Sequence, residues 1–362
     1  MLVSGRLLLI QQSLGSCRMK TRIILTVLSA TVMVSLSHAG CAKSKQNPNI
    51  DPRDPGMFVI FNKAEHGNAS AQSVMGNAYL FGISVAQDEV RAAEWYKKAA
   101  DQGDVPSQSK MGEFYDQGIG VPQDYAKAAM WYQKAAVEDD VTAQEGLGTL
   151  YRLGRGVPQD YGKALEWYRK AAEQDDSVAQ YNIGLLYEYG QGVPQDYNEA
   201  LKWYQKAAAQ DDDLALAKLG ELYRDGHGVP RDYAKAFALF QKAEKQGSAA
   251  AAYDIGLAYE NKQGVKRDED TALAWYKKAA EAGYAPAQTK LGTIYWGWQD
   301  LDTAIAYLES AAAQGDDVAA YTLGLIYLEE HSTRRDVHIA ANWLRKAASM
   351  GNIDAQKKLK KL

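Results

Sequence analysis

The amino-acid sequence predicts an all-α solenoid of about eight helix-turn-helix repeats of 36 residues, closed at each end by half a repeat. One glycine recurs at this spacing, and a tyrosine follows it three positions later in every repeat. A tryptophan lies nineteen positions after the glycine in most repeats. A fixed period of this length is typical of stacked helical hairpins. The recurring glycines are Gly76, Gly112, Gly148, Gly184, Gly220, Gly256, Gly292 and Gly324, and only the last spacing shortens, to 32 residues.

The first 40 residues have the pattern of an export signal. From Met19, a basic start is followed by an apolar stretch of 14 residues and then by small residues before Cys41. The apolar stretch is shorter than the roughly 20 residues that a membrane-spanning helix needs. We therefore expect residues 1–40 to be a signal peptide and the protein to be exported. Met19 is an alternative start, because a second apolar patch ahead of a complete signal has no clear use.

Ala39, Gly40 and Cys41 resemble the bacterial lipobox, in which the cysteine is lipidated and becomes the first residue of the mature protein. His38 departs from that motif, which usually has leucine there, and cleavage after Ala39 by an ordinary signal peptidase is the alternative. We expect a lipid on Cys41 and a periplasmic location, with attachment to the outer membrane. Residues 41–56 are polar and proline-rich, which predicts a flexible linker.

The solenoid is expected over residues 57–362. Residues 57–66 have the register of a lone second helix, and residues 355–362 have that of a lone first helix with a polar outer surface. Such half-repeats would cover the apolar ends of the stack. The predicted units between them lie near 69–104, 105–140, 141–176, 177–212, 213–248, 249–284, 285–316 and 317–352.

Each unit contains two amphipathic helical patterns, Ala-x-x-x-Leu/Met-Gly-x-x-Tyr and then Ala-x-x-Trp-Tyr-x-Lys-Ala-Ala. The connection Gly-x-Gly-Val-Pro-Gln-Asp-Tyr would end the first helix at its glycines and cap the second with its aspartate. A glycine inside a helix costs about 1 kcal/mol relative to alanine, so its recurrence predicts a close approach of the two helices. We expect the repeated tryptophan to be a core residue, because it alternates with small alanines on the buried face.

Adjacent aspartates recur at the same place in three successive units. They would either cap the following helix or form an acidic edge that attracts a basic partner or cations. The residues are Asp139 and Asp140, Asp175 and Asp176, and Asp211 to Asp213.

Residues 179–208, AQYNIGLLYEYGQGVPQDYNEALKWYQKAA, resemble the Sel-one-like repeat, a relative of the tetratricopeptide repeat. The resemblance extends over about 300 residues, since the motif recurs with the same spacing. It implies a right-handed α-solenoid superhelix that acts as an adaptor or scaffold in macromolecular assemblies. Bacterial members are frequently exported and are linked to envelope functions, host contact or immunity against secreted toxins.

Composition argues against several other classes. The net charge is −4, and the basic signal segment leaves the repeats more acidic still, which is unsuitable for nucleic acid. Both cysteines, Cys17 and Cys41, precede the repeats, so the chain lacks the cysteines of the family branch associated with β-lactam hydrolysis. A Ser-x-x-Lys match at Ser107–Lys110 has no partner motifs, and β-lactam hydrolysis is only a remote alternative. We expect no enzymatic activity, no metal and no cofactor.

In solenoids of this relationship the first helix of each unit lines the concave face. Its exposed positions would lie three before, one after, and four and five after the repeated glycine. In units four, five, six and eight these positions carry aromatic, aliphatic and charged side chains of the kind found in binding hot spots. They are Tyr181, Leu185, Glu188, Tyr189, Arg224, Tyr253, Leu257, Glu260, Tyr321 and Leu325. Alternatively, the tyrosines three before the glycine pack against the next helix.

Unit seven has a connection four residues shorter than the others, flanked by Trp296 and Trp298. These tryptophans would either form an exposed anchor for a partner or fill the gap that the deletion leaves.

The sequence thus predicts a monomeric, non-enzymatic scaffold of the bacterial cell envelope that binds a partner protein through its concave surface. Membrane contact is expected only through the N-terminal lipid. The alternatives are a structural spacer of an envelope assembly and an immunity protein that neutralises a secreted toxin.

Replacement of Cys41 by serine tests the lipid. The variant should move from the membrane fraction to the soluble fraction, because firm attachment requires the acyl chains that the cysteine carries. Cell fractionation followed by immunoblotting measures this. Fractionation identical to that of the parent protein would contradict the prediction.

Overall fold

A computed structural model describes residues 51, 54–329 and 333–362 of the chain. Within these residues 18 α-helices follow one another, so the predicted all-α solenoid with eight repeats is confirmed. The signal peptide, Cys41 and most of the predicted linker lie outside the described residues.

Sixteen of the helices form eight hairpins, and the two remaining helices are terminal half-repeats. The first helices are α2 (Ala69–Phe81), α4 (Val105–Gln117), α6 (Val141–Leu153), α8 (Ser177–Tyr189), α10 (Asp213–Asp225), α12 (Ala249–Asn261), α14 (Ala285–Gly297) and α16 (Asp317–Leu328). The second helices are α3 (Glu89–Ala100), α5 (Tyr125–Ala136), α7 (Tyr161–Glu173), α9 (Tyr197–Ala209), α11 (Tyr233–Lys245), α13 (Glu269–Glu281), α15 (Leu301–Ala313) and α17 (Val337–Ser349). The half-repeats are α1 (Pro55–Glu65) and α18 (Ile353–Leu359).

The end of the predicted linker is structured, which corrects its boundary at residue 56. Helix α1 begins at Pro55, and Asp54 caps it by accepting from the Met57 backbone N–H at 2.9 Å. The Ser84 hydroxyl donates to the Asp54 carboxylate at 2.5 Å, and the Asp51 backbone N–H donates to the Ser84 carbonyl at 2.7 Å. Proline at the start of a helix needs no hydrogen-bond partner for its nitrogen, so a segment that looks like a loop in sequence can open a helix.

Side-chain caps define the helix starts, as the sequence predicts. The aspartate of each repeat connection caps the second helix, as Asp160 does by accepting from the Lys163 N–H at 3.0 Å. Asp140, Asp176 and Asp212 cap first helices in the same way, which confirms the capping interpretation of the paired aspartates. The residue before each of these caps has a positive φ near 60°, so the chain reverses sharply there.

In six of the eight units the repeated glycine lies against an aromatic ring of the second helix, and in units seven and eight it lies against a leucine, as the helix-approach prediction requires. A methyl group on Gly148 would lie 2.8 Å from Cδ1 and Cε1 of Tyr168. The other units place Tyr, Phe or Leu at the same position against their own glycines. Tyr168 is fully buried, and its hydroxyl shares a 2.9 Å hydrogen bond with the Thr149 hydroxyl.

The core residue of the second helix is this Tyr, one position after the tryptophan. Trp95 and Trp131 are buried, but Trp167, Trp203, Trp275 and Trp343 are only half-buried, so the prediction of a tryptophan core holds for two units. A lysine lies over the ring of each of these tryptophans, for example Lys170 at 4.3 Å from the Trp167 ring. In the four units where it is half-buried, the tryptophan therefore lies at the border between core and solvent, where a neighbouring cation stabilises its exposed face.

Neighbouring units are joined by glutamines and by loop glycines. Gln144 is fully buried; its amide donates to the Ala136 carbonyl at 3.2 Å and accepts from Gln174 at 3.0 Å. In the connection of the same unit, a side chain on Gly156 would overlap the Tyr125 backbone of the preceding unit. Buried polar groups are stabilising only when they are paired, and these amides are.

The first helices of consecutive units form one side of the stack, which is named the inner face. Two pairs of them approach each other directly, α4 with α6 and α14 with α16, whereas no two consecutive second helices come as close in the described part of the chain. Side chains of neighbouring first helices can therefore contact one another across unit boundaries.

Changing Gly148 to alanine tests the glycine contact. We expect a loss of about 1–3 kcal/mol in the free energy of unfolding, because the added methyl group would clash with the buried Tyr168 ring. The matched control is Gly297→Ala, also in a helix but with open space around it, where stability should be unchanged or rise by up to about 1 kcal/mol. Chemical denaturation measures both, and equal effects would argue against the contact.

Alanine substitutions at Tyr168 and Trp167 test which residue forms the core. Tyr168→Ala should lower the free energy of unfolding by about 3–5 kcal/mol, as expected for a fully buried aromatic residue. Trp167→Ala should cost clearly less, because its ring is half-exposed. A larger loss at Trp167 in thermal or chemical unfolding would reverse the assignment.

Candidate functional site

The candidate site is the inner face of units four to seven, formed by the first helices α8, α10, α12 and α14. Side chains from two positions before to five positions after the repeated glycine contact one another there across unit boundaries. The sequence-predicted residues of units four to six lie on this face, together with others that the sequence analysis missed.

A ladder of ion pairs connects these units. The residue four after the glycine in one unit pairs with the residue two before the glycine in the next, 30 positions later. The pairs are Glu188 with Lys218 at 3.6 Å, Arg224 with Asp254 at 2.8 Å, and Glu260 with Lys290 at 2.8 Å. Acid and base exchange places in the middle pair, so the contact is kept while its polarity is reversed.

The ladder is tied to the core through the buried tyrosines of the second helices. The Tyr204 hydroxyl donates to Glu188 Oε2 at 2.5 Å, and the Tyr276 hydroxyl donates to Glu260 Oε2 at 2.7 Å. Each carboxylate therefore has both a cation and a phenol as partners. The side chains are fixed, because moving either one would leave a partly buried charge unpaired.

Further charged contacts surround the middle of the ladder. Lys218 also pairs with Glu221 at 2.7 Å, and Arg224 donates two hydrogen bonds to Asp225 at 2.8 and 2.9 Å. The Arg224 guanidinium thus bridges two carboxylates, with Asp254 on its other side. A guanidinium can do this because its donors lie in a planar fork.

These contacts shift the pKa values of the groups on the inner face. Burial raises the pKa of Asp254 to about 7, against the opposing effect of Arg224. Hydrogen bonds from Arg224 hold the pKa of Asp225 below its usual value. Burial would lower the pKa of Lys218, but Glu221 and Glu188 outweigh it and hold that pKa above its usual value. Lys218 therefore stays charged.

Most of the predicted contact residues are only half-exposed. Tyr181 packs on Tyr204 with ring centroids 5.7 Å apart, and Tyr253 packs on Tyr276 at 5.4 Å, so these tyrosines pack against the adjacent second helices. Leu185, Leu257, Tyr321 and Leu325 are also half-buried. The expectation that all these positions are exposed is therefore wrong, and Ala217, at the same position in unit five, is buried outright. For Tyr181 and Tyr253 the cause is the second helix of the same unit, whose tyrosine covers a position that a single helix would expose.

Tyr189 is the exception, with 55% of its surface exposed. The Lys218 amino group lies 5.9 Å from its ring centroid and donates to its hydroxyl at 3.4 Å. Asp225 and Asn261 occupy the same position in the next two units and are also exposed. These three residues form the solvent-facing row of the site.

Tyr284 is an inner-face residue that the sequence analysis missed. It stands at the N-cap of α14, where the other described helices have an aspartate, asparagine or serine side chain as cap, and it makes no capping hydrogen bond. Its ring packs on Tyr253 at 5.6 Å, and burial raises the pKa of its hydroxyl to about 12. Losing a cap typically costs about 1 kcal/mol. The aromatic contact with Tyr253 takes the place of the capping hydrogen bond. The sequence signal that could have identified Tyr284 is the tyrosine at a position where the other helices have a capping residue.

The two irregular tryptophans of unit seven have different environments. Trp296 is half-buried, packs against the core of units seven and eight, and donates from Nε1 to Glu329 at 3.1 Å. Trp298 is 59% exposed, with its ring edge against Tyr295 at 5.2 Å. Trp296 therefore fills the space left by the shortened connection, whereas Trp298 is exposed, as the anchor interpretation expects.

A shallow depression opens at the end of the inner face between units six and seven. Leu257 and Glu260 line it with three cationic side chains, Lys262, Arg267 and Lys290. Lys262 has a φ of 58° at a position where units one to five have glycine. The departure from the repeat consensus therefore adds positive charge beside the ladder.

The remaining sequence candidates have structural roles. Ser107 is fully buried and its hydroxyl donates to the capping carboxylate of Asp104 at 2.5 Å, while Lys110 pairs with Glu113. The described residues contain no cluster of three or more metal-ligating side chains. None of the helices in the described ranges is both long and apolar enough to span a membrane.

Comparison with known proteins identifies the repeat. The chain is similar to c5321, a protective antigen of uropathogenic Escherichia coli strains with an SLR fold, at 33% identity and a TM-score of 0.60. That match covers 84% of this chain but 66% of the antigen, so the chain spans slightly less than two thirds of the antigen's length. It is also similar to a Sel1 repeat protein from Oxalobacter formigenes, at 31% identity and a TM-score of 0.59, covering 62% of this chain and 90% of the other. No protein of curated function matches the sequence.

The Sel1 repeat model matches eight consecutive segments, which together make up most of the chain. Proteins built from this repeat generally act as protein-interaction scaffolds. The matched segments are 69–104, 105–138, 141–176, 177–212, 213–248, 249–284, 285–316 and 317–352. With eight repeats matched and the hairpin stack observed, this chain belongs to the Sel1 repeat family.

Proposed function

We propose that this protein is a non-enzymatic scaffold of the bacterial cell envelope that binds a partner protein on the inner face of units four to six. The observation that carries this proposal is the ion-pair ladder beneath an exposed row of Tyr189, Asp225 and Asn261. The ladder holds the face in one arrangement, and the row presents an aromatic ring and polar groups to solvent.

Rigidity favours binding for a thermodynamic reason. An interface loses about 0.5–1.5 kcal/mol for each flexible side chain that association immobilises. On this face the long side chains of Lys218, Arg224 and Lys290 are already held by carboxylates. Binding of a partner on this face therefore causes only a small further loss of side-chain conformational entropy.

The composition of the face suits a protein partner. Tyrosine and arginine dominate protein-binding hot spots, because they combine a large contact area with directional hydrogen bonds. Tyr189 and Arg224 lie in adjacent units, and Leu185 and Leu257 add half-exposed apolar surface on either side. The acidic balance of the repeats makes nucleic acid an unsuitable partner.

The location in the envelope is supported by the sequence. A basic start, a 14-residue apolar stretch and a lipobox-like Ala39-Gly40-Cys41 support export and lipidation of Cys41. In this proposal the lipid supplies the membrane attachment, and the solenoid acts as a monomer that holds its partner near the membrane.

A double substitution, Tyr189→Ser with Asp225→Ala, tests the inner face. Both side chains are exposed, and Arg224 keeps Asp254 as a partner, so folding should be retained. We expect capture of the envelope partner, identified by crosslinking to the parent protein, to weaken by about tenfold or more, as for the loss of a hot-spot residue.

The control is Met130→Ser, which removes a 46%-exposed apolar side chain from the second helix of unit two. Its capture of the partner should match that of the parent protein. Undiminished capture by the double variant, with an unchanged melting temperature, would exclude this face as the binding site.

A further inference from the structure

Unit one carries an exposed apolar patch at the connection between its two helices. Phe81, Ile83 and Val90 form this unit-one patch, with 61%, 53% and 56% of their surfaces exposed. Val85, between them in sequence, is buried and anchors the connection to the core. The connection itself is therefore fixed while three large apolar side chains point to solvent.

The other units provide an internal comparison, since they share the same backbone pattern. No unit from two to six has a large apolar side chain at more than one of these three positions. The equivalents are Gln117, Ile119 and Ala126; Leu153, Arg155 and Gly162; Tyr189, Gln191 and Asn198; Asp225, His227 and Ala234; and Asn261, Gln263 and Asp270. The fold does not require apolar residues there, so their concentration in unit one calls for a partner that covers them.

The incoming chain meets the solenoid at this same connection. The Asp51 backbone N–H donates to the carbonyl of Ser84, which is next to Ile83. Nine residues, 42–50, separate Cys41 from Asp51, so ten Cα–Cα steps join the two. At roughly 3.3–3.6 Å per residue this segment can span at most about 35 Å. A lipid on Cys41 therefore keeps the unit-one patch within that distance of the bilayer.

We propose that the unit-one patch rests on the lipid bilayer and inserts Phe81, Ile83 and Val90 into its interfacial layer. This inference rests on the proposed lipidation of Cys41. Transfer of apolar side chains from water to the lipid interface is favourable. A protein–lipid contact of this kind would add to the anchoring by the acyl chains on Cys41. The contact would also fix how the solenoid stands on the membrane, with unit one at the surface.

The acidic residues beside the patch indicate that its contact with the bilayer is hydrophobic and not electrostatic. Asp88 and Glu89 precede Val90, and Asp88 is occupied as the cap of α3, with Arg91 3.4 Å away. This acidic surrounding gives no attraction to anionic lipid. The contact should therefore form on zwitterionic phosphatidylcholine and depend little on salt concentration.

Site-specific labelling of the full chain tests this contact. An environment-sensitive NBD dye is attached at Phe81→Cys in the mature lipidated protein, whose remaining native cysteine, Cys41, is blocked by the lipid. The labelled protein is reconstituted into phosphatidylcholine vesicles. A fraction of the vesicle lipids carries a nitroxide on the acyl chain. We expect nitroxide quenching at position 81 at least several-fold stronger than at Trp298→Cys, a control whose parent residue is similarly exposed, at 59%, but lies in unit seven.

The outcomes separate this inference from the functions proposed above. Flotation with the vesicles and equal, weak quenching at both positions would overturn the bilayer contact while leaving the lipid anchor in place. A shielded but unquenched dye would show that protein, such as the chain's own residues 42–50, covers the patch, and would also overturn it. Failure to float would overturn the lipid anchor and this inference together, whereas partner capture through Tyr189 and Asp225 is measured independently.

Discussion

Contact between a helical glycine and a buried ring is the interaction on which the rest of the solenoid depends. In the third unit, Gly148 leaves room for the Tyr168 ring, and the other units repeat the arrangement with Tyr, Phe or Leu. The contact sets the distance between the two helices of a hairpin, and thereby the width of each layer in the stack. Glycine weakens its own helix by about 1 kcal/mol relative to alanine. Burial of the facing side chain stabilises the hairpin by more than that.

Once the hairpins have equal width, the contacts between them can repeat as well. Buried amides such as Gln144, loop glycines such as Gly156 and capping aspartates recur in most units and hold the stack together. The inner face is different, because its positions vary from unit to unit while the scaffold beneath stays the same. The alternation of Glu188–Lys218, Arg224–Asp254 and Glu260–Lys290 keeps a contact and reverses its polarity. Variation of this kind changes the chemistry of a surface without changing the fold.

Two departures from the repeat pattern lie at the surfaces for which contacts are proposed above. Tyr284 replaces a helix cap with an aromatic contact on the inner face, and the connection of unit one exposes apolar side chains beside the entry of the N-terminal segment. In a repeat protein each such departure can be compared with its equivalents in the same chain. Residues that break a local rule at an exposed or inner position are candidates for binding, because stability alone would favour the consensus.

The sequence by itself determined the helical hairpins, their number, their caps and the close approach at the glycine, because these depend on local propensity and on a period repeated eight times. Tertiary structure decided which aromatic residue fills the core, since Trp167 and Tyr168 are adjacent and only the neighbouring helix distinguishes them. It also decided exposure on the inner face, where Tyr181 packs against the second helix of its own unit and Ala217 is buried, whereas Tyr189 is exposed. The ion-pair ladder joins residues 30 positions apart, across unit boundaries. A periodicity identifies the face of one helix, whereas burial and pairing depend on how that face meets the next unit.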